Sequence, residues 1–217
     1  MYNPRFMIGL SPLELVARAV TLVIALTVHE FSHAWTADQL GDDTPRAHGR
    51  LTLNPLAHLD PIGSLMMLIA GFGWAKPVPV NPFALSRRTP AGLMLVAAAG
   101  PLSNLVLAIL AAIPFRAGWI NAASLSGFAA TWPMLLAEFI FLNLILLFFN
   151  LLPIYPLDGE KVAEYFLPVQ AREVLYRLRP FGFVIILGLV FLGRTGLNVL
   201  GWLVSAPAST VFSLLVT

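Results

Sequence analysis

The hydrophobic positions of the 217-residue chain fall into long apolar stretches that are separated by shorter polar ones. Three stretches reach the roughly 20 residues that a membrane-spanning helix needs; they cover about 12–40, 91–114 and 131–152. Two shorter stretches near the end of the chain predict two C-terminal spans over about 176–217. We therefore expect an all-α polytopic membrane protein with about five transmembrane helices.

The segment between the first and second spans has a polar, an apolar and a proline-rich part. Residues 41–62 are polar, and residues 63–74 are apolar but too short to span a membrane, which predicts a re-entrant or interfacial piece. Three prolines within residues 76–83, KPVPVNPF, forbid a helix and favour an extended, strand-like segment. We expect a short re-entrant and extended Pro-rich element here, before a second span that Gly100-Pro101 interrupts early.

The composition is that of a protein whose partner is a lipid bilayer. Hydrophobic residues make up 58% of the chain, charged residues make up 11%, and the mean hydropathy is +0.82. A soluble domain averages about 45–50% apolar and about 25% charged residues, so a soluble globular protein, a disordered chain and a nucleic-acid binder are excluded. Because there is no internal repeat, we expect residues 1–217 to form one domain with a core at about 12–166.

The motif His29-Glu30-Phe31-Ser32-His33 points to metal chemistry. On a helix, His29 and His33 lie one turn apart on the same face, so their imidazoles can share one metal ion. Glu30 lies beside them, where it can take a proton from a water that the metal activates. Ionisable side chains in a membrane helix are costly unless paired, and they mark function by default. The alternative is that the three side chains form interhelical hydrogen bonds or line a polar cavity.

A third metal ligand has to come from outside this motif. A catalytic zinc site has three protein ligands and one open position, and the chain contains no cysteine. Asp158 is favoured on chemical grounds, because Pro153 and Pro156 break the third helix and could turn the Asp158 carboxylate inward. The alternative role of Asp158 is to cap the helix that starts at Gly159.

Five motifs together resemble the site-2 protease family of intramembrane zinc metalloproteases, and in particular its small subgroup without PDZ or CBS domains. In chain order, over about residues 25–160, they are HEFSH (29–33), LTLNPLAHLDPIG (51–63), GWAKPVPVNP (73–82), GPLSN (100–104) and NLLPIYPLDG (150–159). The resemblance implies that His29, His33 and Asp158 are zinc ligands and that Glu30 is the catalytic acid/base. It also implies that Asn150 lies near the metal and helps to hold the substrate or the oxyanion.

Three asparagines in the predicted spans allow more than one interpretation. The side-chain amide of Asn150 can stabilise the negative charge that develops on an attacked peptide carbonyl, which agrees with the resemblance. Asn143 lies seven residues earlier, on nearly the same helix face, and is predicted to form a helix–helix hydrogen bond. For Asn104, a structural and a functional role are equally open.

The remaining polar candidates are two loop histidines and one carboxylate. His48 and His58 lie in the polar segment and are interpreted first as surface or hydrogen-bonding residues; a metal or inhibitory role is the alternative. Glu138 lies early in the third span, where Arg116 or an interface position could satisfy its charge. We assign it no catalytic role.

The distribution of Lys and Arg predicts the orientation of the chain in a cell membrane. The segments between the first and second spans and between the third and fourth are rich in these residues and are expected on the cytoplasmic side. The N-terminus is then outside, although Arg5 and Arg18 leave that end ambiguous. His29 follows Pro12 by about 25 Å of helix, which places the metal within the membrane but toward the cytoplasm.

These observations predict an intramembrane zinc endopeptidase that hydrolyses peptide bonds within or near the transmembrane segments of membrane proteins. Residues 76–83 could pair their backbone groups with a locally unwound substrate, or they could be a rigid linker. The alternatives are a membrane metal transporter, which usually needs ligands along a path, and a catalytically idle metal-binding protein of the same fold. A metalloprotease with a glutamate as its third ligand is a further alternative.

Overall fold

The computed structural model describes residues 12–63, 75–121 and 132–217. The short apolar piece predicted at 63–74 lies outside the described residues except for its first glycine, and Arg5 lies outside them as well.

Helices make up most of the described chain, and no strand occurs among its residues. The α-helices are α1 (Pro12–Gln39), α2 (Thr44–Ala47), α3 (Pro82–Arg88), α4 (Gly92–Arg116), α5 (Trp132–Asn150), α6 (Asp158–Phe166), α7 (Val169–Leu178), α8 (Gly182–Arg194) and α9 (Ala206–Val216). Two 3₁₀ turns, Pro55–Ala57 and Arg179–Phe181, and a π-helical turn, Gly201–Ser205, complete the set.

Four helical stretches among the described residues are long and apolar enough to cross a membrane: Leu15–Gln39, Gly92–Arg116, Trp132–Asn150 and Val169–Gly193. This confirms the all-α, multi-pass membrane class. The predicted number of about five spans is not confirmed, because the last apolar stretch, Gly201–Val216, is shorter than a span needs and starts with a π-helical turn. The fourth span begins at Val169, earlier than the sequence pattern indicates.

The helix α4 runs through the centre of the bundle and contacts α1, α5 and α9. Alanines on α4 allow this close approach: Ala108 and Ala112 are fully buried against residues such as Leu144 on α5 and Phe212 on α9. The interruption predicted at Gly100-Pro101 does not occur, because α4 is one helix from Gly92 to Arg116.

The Pro-rich segment, predicted to be extended over residues 76–83, is non-helical as far as Asn81. The prediction is wrong for Pro82 and Phe83, which begin helix α3, because a proline fits the first position of a helix.

Two buried side chains hold the non-helical part, residues 75–81. The Arg50 guanidinium donates hydrogen bonds to the carbonyl oxygens of Lys76 (3.1 Å) and Pro77 (3.0 Å). At the other end, the Asp42 carboxylate accepts a hydrogen bond of 2.6 Å from the backbone N–H of Asn81. Charge-assisted hydrogen bonds of this kind are about twice as strong as neutral ones, so both ends of the segment are fixed.

A buried ion pair joins α1 to α5. The Nε atom of Arg18 lies 2.6 Å from Oε1 of Glu138, and the two side chains are only 12% and 9% exposed. The sequence analysis considered Arg116 as the partner of Glu138; the structure shows that the partner is Arg18, which is 120 residues away along the chain. The pair therefore has a structural role in holding two spans together.

We expect the substitution Glu138→Leu to destabilise the protein, because it leaves the Arg18 charge buried without a partner, at a cost of about 3–5 kcal/mol. The double variant Arg18→Met/Glu138→Leu should recover most of this loss, since it buries no charge. Thermal unfolding of the detergent-solubilised protein measures both effects, and Arg87→Met on an exposed arginine is the matched control. A double variant as unstable as the single one would contradict the pairing.

Candidate metal centre

Two histidines of α1 form the base of the candidate site. His29 and His33 lie one helical turn apart and are 4% and 7% exposed. Their ring centroids are 4.7 Å apart and the rings are nearly perpendicular, at 85°. The structure therefore places both imidazoles on the same face of the helix, as the spacing predicts.

The carboxylate of Asp158 reaches both imidazoles. Its Oδ2 atom lies 3.0 Å from Nε2 of His29 and 3.3 Å from Nε2 of His33. The chain leaves α5 at Asn150 and turns back, so that α6 starts at Asp158 itself, with Leu157 at the N-cap. Asp158 is thus the first residue of the helix and not its cap, and its side chain is directed at the histidine pair.

Two glycines leave the space in which Asp158 and the two imidazoles come into contact. A Cβ atom on Gly100 of α4 would lie 2.3 Å from Nε2 of His33 and 2.6 Å from Nε2 of His29. A Cβ atom on Gly159 would lie 2.2 Å from the carbonyl oxygen of Leu151, so only glycine lets α6 start this close to the end of α5. Both glycines belong to motifs recognised in the sequence, GPLSN and PLDG.

Both imidazoles are held through their Nδ1 atoms. Nδ1 of His33 lies 2.7 Å from the carbonyl oxygen of Val96, and Nδ1 of His29 lies 2.7 Å from Oδ1 of Asn104. Metal-binding histidines usually donate their second ring N–H to a carbonyl or carboxylate oxygen in this way. Both Nε2 atoms are thereby left to face Asp158.

Glu30 lies beside the histidines and completes a group with metal-binding chemistry. One ligand atom each from His29, Glu30 and His33 can be chosen so that all three lie within 4.8 Å of one another, and all three residues are buried. Imidazole nitrogens and a carboxylate oxygen are ligands that zinc prefers. The donor set present therefore fits a zinc ion, with Asp158 in contact with both imidazoles.

The electrostatic surroundings keep Asp158 ionised. Burial alone would raise the pKa of its carboxyl group, but the charge of His33 and the contacts with both imidazoles lower that pKa well below its ordinary value of 3.8. A metal ligand has to be deprotonated to bind, so the carboxylate is in the form that a cation requires.

A network of charged side chains anchors α6. Glu160 is almost fully buried, and Nε of Arg179 lies 2.6 Å from its Oε1 atom, while Lys161 lies 3.0 Å from Oε2. Arg179 also contacts Glu164 at 3.0 Å. Burial would raise the pKa of Glu164, but the hydrogen bond from Tyr176 and the charges of Lys161 and Arg179 lower it below its ordinary value of 4.5. The helix that carries Asp158 is therefore tied by ion pairs to the 3₁₀ turn Arg179–Phe181, which precedes α8.

The candidate site opens into a cavity of about 560 Å³. Its polar wall includes His29, Glu30, His33, Asn150 and Asp158, and its apolar wall includes part of the Pro-rich segment. The amide nitrogen of Asn150 donates a hydrogen bond of 3.0 Å to the carbonyl oxygen of Leu146 on its own helix. The five residues that the sequence analysis predicted as metal ligands or catalytic groups thus line one cavity.

The other candidates have different places. His48 is exposed, with Nδ1 2.8 Å from the carbonyl oxygen of Thr44, and the buried His58 has Nε2 2.7 Å from the carbonyl oxygen of Thr52. Neither histidine lines the cavity. The structure therefore supports their interpretation as hydrogen-bonding residues and leaves Asp158 as the third ligand candidate.

The contact between Asn104 and His29 is the feature that the sequence analysis did not find. Asn143 does form the predicted helix–helix hydrogen bond, and its Oδ1 accepts it from Nδ2 of Asn104 at 3.0 Å. A sequence signal for the role of Asn104 exists: it follows Gly100 by one helical turn, and Gly100 contacts both histidines. Only the packing of α1 on α4 shows that the four-residue spacing of Gly100 and Asn104 matches the four-residue spacing of His29 and His33.

Comparison with known proteins identifies the family. A family model described as Peptidase family M50 matches residues 115–192, a range that contains Asn150 and Asp158. The chain is also 39% identical over 207 residues to the Bacillus subtilis (strain 168) protein named "Putative zinc metalloprotease YwhC"; the match covers 94% of this chain and 93% of that protein. The chain belongs to peptidase family M50, the site-2 protease family.

Two mycobacterial relatives agree with this assignment. This M50 peptidase is 35% identical over 77% of its length to "Putative zinc metalloprotease Rip2" of Mycolicibacterium smegmatis, covering 64% of that protein. It is 36% identical over 83% of its length to the protein of the same name from Mycobacterium tuberculosis (strain H37Rv), covering 67% of it. No solved structure matches the chain. The predicted metalloprotease activity and the predicted zinc cofactor are confirmed at the level of the family.

We expect Gly100→Ala to abolish zinc binding, because the added methyl group would displace the imidazole of His33. Alanine is favoured over glycine in a helix by about 1 kcal/mol, so the variant should fold. Gly188→Ala on α8 is the matched control, since a Cβ atom there meets nothing within 4 Å. Zinc analysis of the purified variants checks this, and a full zinc content in Gly100→Ala would contradict the described packing.

Proposed function

We propose that this M50 peptidase is an intramembrane zinc endopeptidase that hydrolyses peptide bonds within or near the transmembrane segments of membrane proteins. The observation that carries the proposal is the contact of one Asp158 oxygen with Nε2 of both His29 and His33, beside Glu30 and at the wall of a cavity. His29 and His33 lie on a helix that is long and apolar enough to span a membrane.

His29, His33 and Asp158 are the proposed zinc ligands. Three protein ligands with a fourth position open to the cavity are the arrangement of catalytic zinc sites. When bound, zinc polarises a peptide carbonyl and lowers the pKa of water to about 7.

Glu30 is the proposed general base and general acid. Its carboxylate lies next to the ligand atoms of both histidines, where it can accept the proton of the attacking water. It can then deliver that proton to the nitrogen of the leaving amine, because the two steps use the same group in opposite directions.

Asn150 is the proposed partner of the carbonyl oxygen. A side-chain amide nitrogen carries two N–H groups, and one of those of Asn150 donates to the carbonyl oxygen of Leu146. The second can donate to the oxygen of the peptide bond under attack, where negative charge develops.

The Pro-rich segment is proposed to hold the unwound substrate. Pro77 and Pro79 have no N–H, so the donors between Lys76 and Asn81 are the N–H groups of Val78 and Val80. Both valines line the cavity, and in an extended segment donors two residues apart point to the same edge. A substrate strand could pair with this edge, although a rigid linker would also explain the prolines.

The orientation follows from the charged loops. We propose that the segments that precede α4 and follow α5 face the cytoplasm of the cell, because most Lys and Arg residues lie there. After α5, Lys161 precedes the fourth apolar stretch, Val169–Gly193, and three arginines lie in the first half of that stretch. Water would then reach the cavity from that side.

A metal transporter is the rival proposal from another functional class. It would need ligands in series along a path, whereas the other two histidines, His48 and His58, hydrogen-bond within their own loop. An assay of metal uptake into vesicles distinguishes the two classes.

The function is tested by zinc analysis and by cleavage of a model transmembrane substrate in detergent or in vesicles. We expect Glu30→Gln to retain zinc and lose at least about 100-fold in activity, the contribution of general acid–base catalysis. We expect Asp158→Ala to lose zinc and activity together.

The matched controls are Glu173→Gln and Asp43→Ala, which change exposed carboxylates far from the cavity. Cleavage by Glu30→Gln at the wild-type rate would refute the acid/base assignment. Full zinc content in Asp158→Ala would refute the ligand set.

A separate experiment tests the substrate-binding edge. Val78→Pro removes one N–H donor, and Val78→Ala removes only the side chain. We expect Val78→Pro to lower kcat/KM for a transmembrane substrate by about 2–10-fold relative to Val78→Ala, the effect of one lost hydrogen bond, while zinc content stays the same. Equal rates for both variants would favour the linker interpretation.

A further inference from the structure

A series of hydrogen-bonded polar side chains connects the candidate metal centre to three spans. Nδ1 of His29 on α1 lies 2.7 Å from Oδ1 of Asn104 on α4, and Nδ2 of Asn104 donates a hydrogen bond of 3.0 Å to Oδ1 of Asn143 on α5. Nδ2 of Asn143 in turn donates to the carbonyl oxygen of Phe139 at 2.9 Å. His29 is 4% exposed, and both asparagines are fully buried.

The donor and the acceptor of every hydrogen bond in this series follow from its last group, the carbonyl oxygen of Phe139. The carbonyl oxygen of Phe139 can only accept, so Asn143 must turn its N–H₂ group toward Phe139 and its oxygen toward Asn104. Asn104 must then present its N–H₂ group to Asn143 and its oxygen to His29. Nδ1 of His29 therefore has to carry a proton.

A second contact supports the same orientation of Asn104. Its Nδ2 atom lies 3.4 Å from the carbonyl oxygen of Ala25, a further group that can only accept. Both polar atoms of this buried amide thus have partners, and turning the amide by 180° would leave its oxygen facing two acceptors. Burial in an apolar bundle makes such a mismatch costly.

The two histidines differ in the kind of group that contacts Nδ1 and fixes the orientation of the ring. Nδ1 of His33 faces the backbone carbonyl oxygen of Val96 directly, and that oxygen has no alternative orientation. His29 faces a side-chain amide, which could present either its oxygen or its nitrogen. The direction of that amide is set by Asn143, on a third helix, together with the longer contact to the carbonyl oxygen of Ala25.

We propose that Asn104 is a positioning residue that holds His29 with Nε2 toward the metal, and that Asn143 acts through Asn104 to set the direction of this contact. This inference rests on the proposed function, because it takes His29 as a zinc ligand. It predicts that a residue without any contact to the ligands, Asn143, controls zinc affinity.

The test measures zinc affinity by competition with a chelator, and thermal unfolding of the zinc-free protein, for a set of single variants. Asn104→Leu removes the acceptor for His29, and we expect zinc affinity to fall by about 10–100-fold, as for other partners of metal ligands. Asn104→Asp keeps an oxygen acceptor toward His29, and its second oxygen, protonated in the apolar bundle, can donate to Asn143 in place of the amide N–H₂ group. We therefore expect it to bind zinc within a few-fold of the wild-type protein.

Asn143→Leu leaves the contact between Asn104 and His29 in place and removes the nearer of the two acceptors that set its direction. We expect it to weaken zinc binding by about threefold, which corresponds to an average interhelical hydrogen bond in a membrane protein. Thr27→Val is the matched control, because the buried hydroxyl of Thr27 on α1 has no hydrogen-bond partner. We expect it to bind zinc like the wild-type protein.

Each outcome decides the proposal. Equal affinities for Asn104→Leu and Asn104→Asp would overturn it, since packing and not an acceptor would then matter. Wild-type zinc affinity in Asn143→Leu would overturn the role of Asn143, and this variant decides the proposal if Asn104→Leu does not fold. Lower unfolding temperatures without a change in zinc affinity would show a purely structural network and would also overturn it.

The proposed function fails in a different way. A wild-type protein that binds no zinc would overturn the ligand set and this inference with it. A wild-type protein that binds zinc, with variants that all bind equally well, would overturn the inference alone.

Discussion

The burial of polar side chains among apolar helices is the constraint on which the rest of this structure depends. A lipid bilayer offers no water to satisfy a polar group, so each one has to find its partner on another helix. Two such sets tie α1 to the bundle: the ion pair of Arg18 with Glu138 near the start of the helix, and, about three turns further along, the contacts of His29 with Asn104 and Asp158. The same contacts that satisfy these groups also fix their geometry, so stability and the arrangement of the site have one physical origin.

Small residues determine how closely the helices can approach. Gly100 gives the two imidazoles their space, and Gly159 lets α6 start against the end of α5. Neither glycine has a positive φ angle, so backbone freedom is not the reason for them. The reason is the missing side chain, because a methyl group at either position would occupy the place of a neighbouring atom. The contact of His29, His33 and Asp158 therefore requires glycine at positions 100 and 159.

The sequence was sufficient for the helical class and for the position of His29 one turn from His33; that Asp158 is the third ligand stays a prediction, which its contacts with both imidazoles support. These are local signals: hydrophobic length, helical spacing and prolines that end a helix. It was insufficient for the partner of Glu138, which lies 120 residues away, and for the contact of Asn104 with His29, which spans 75 residues. Such partners depend on how helices pack, and composition and periodicity contain no information on which faces meet. The expected break at Gly100-Pro101 was wrong because a proline inside a membrane helix is tolerated where neighbouring helices support the freed backbone groups, and that support also depends on packing.

The two halves of the candidate centre are held by different forces. The histidines lie on a helix that packs in the apolar core, where their partners are buried amide and carbonyl oxygens. Asp158 lies on α6, whose position depends on ion pairs of Glu160 and Glu164 with Arg179 at the edge of the bundle. Glu160 is almost fully buried, but Arg179 is 32% and Glu164 22% exposed, so salt and water reach these ion pairs more readily than the contacts of the histidines. Helix α6 also forms the wall of the cavity at Asp158, Glu160 and Lys161. The carboxylate of the centre is thus held by contacts at the cavity wall that include a partly exposed arginine, whereas the two imidazoles are held by buried oxygens.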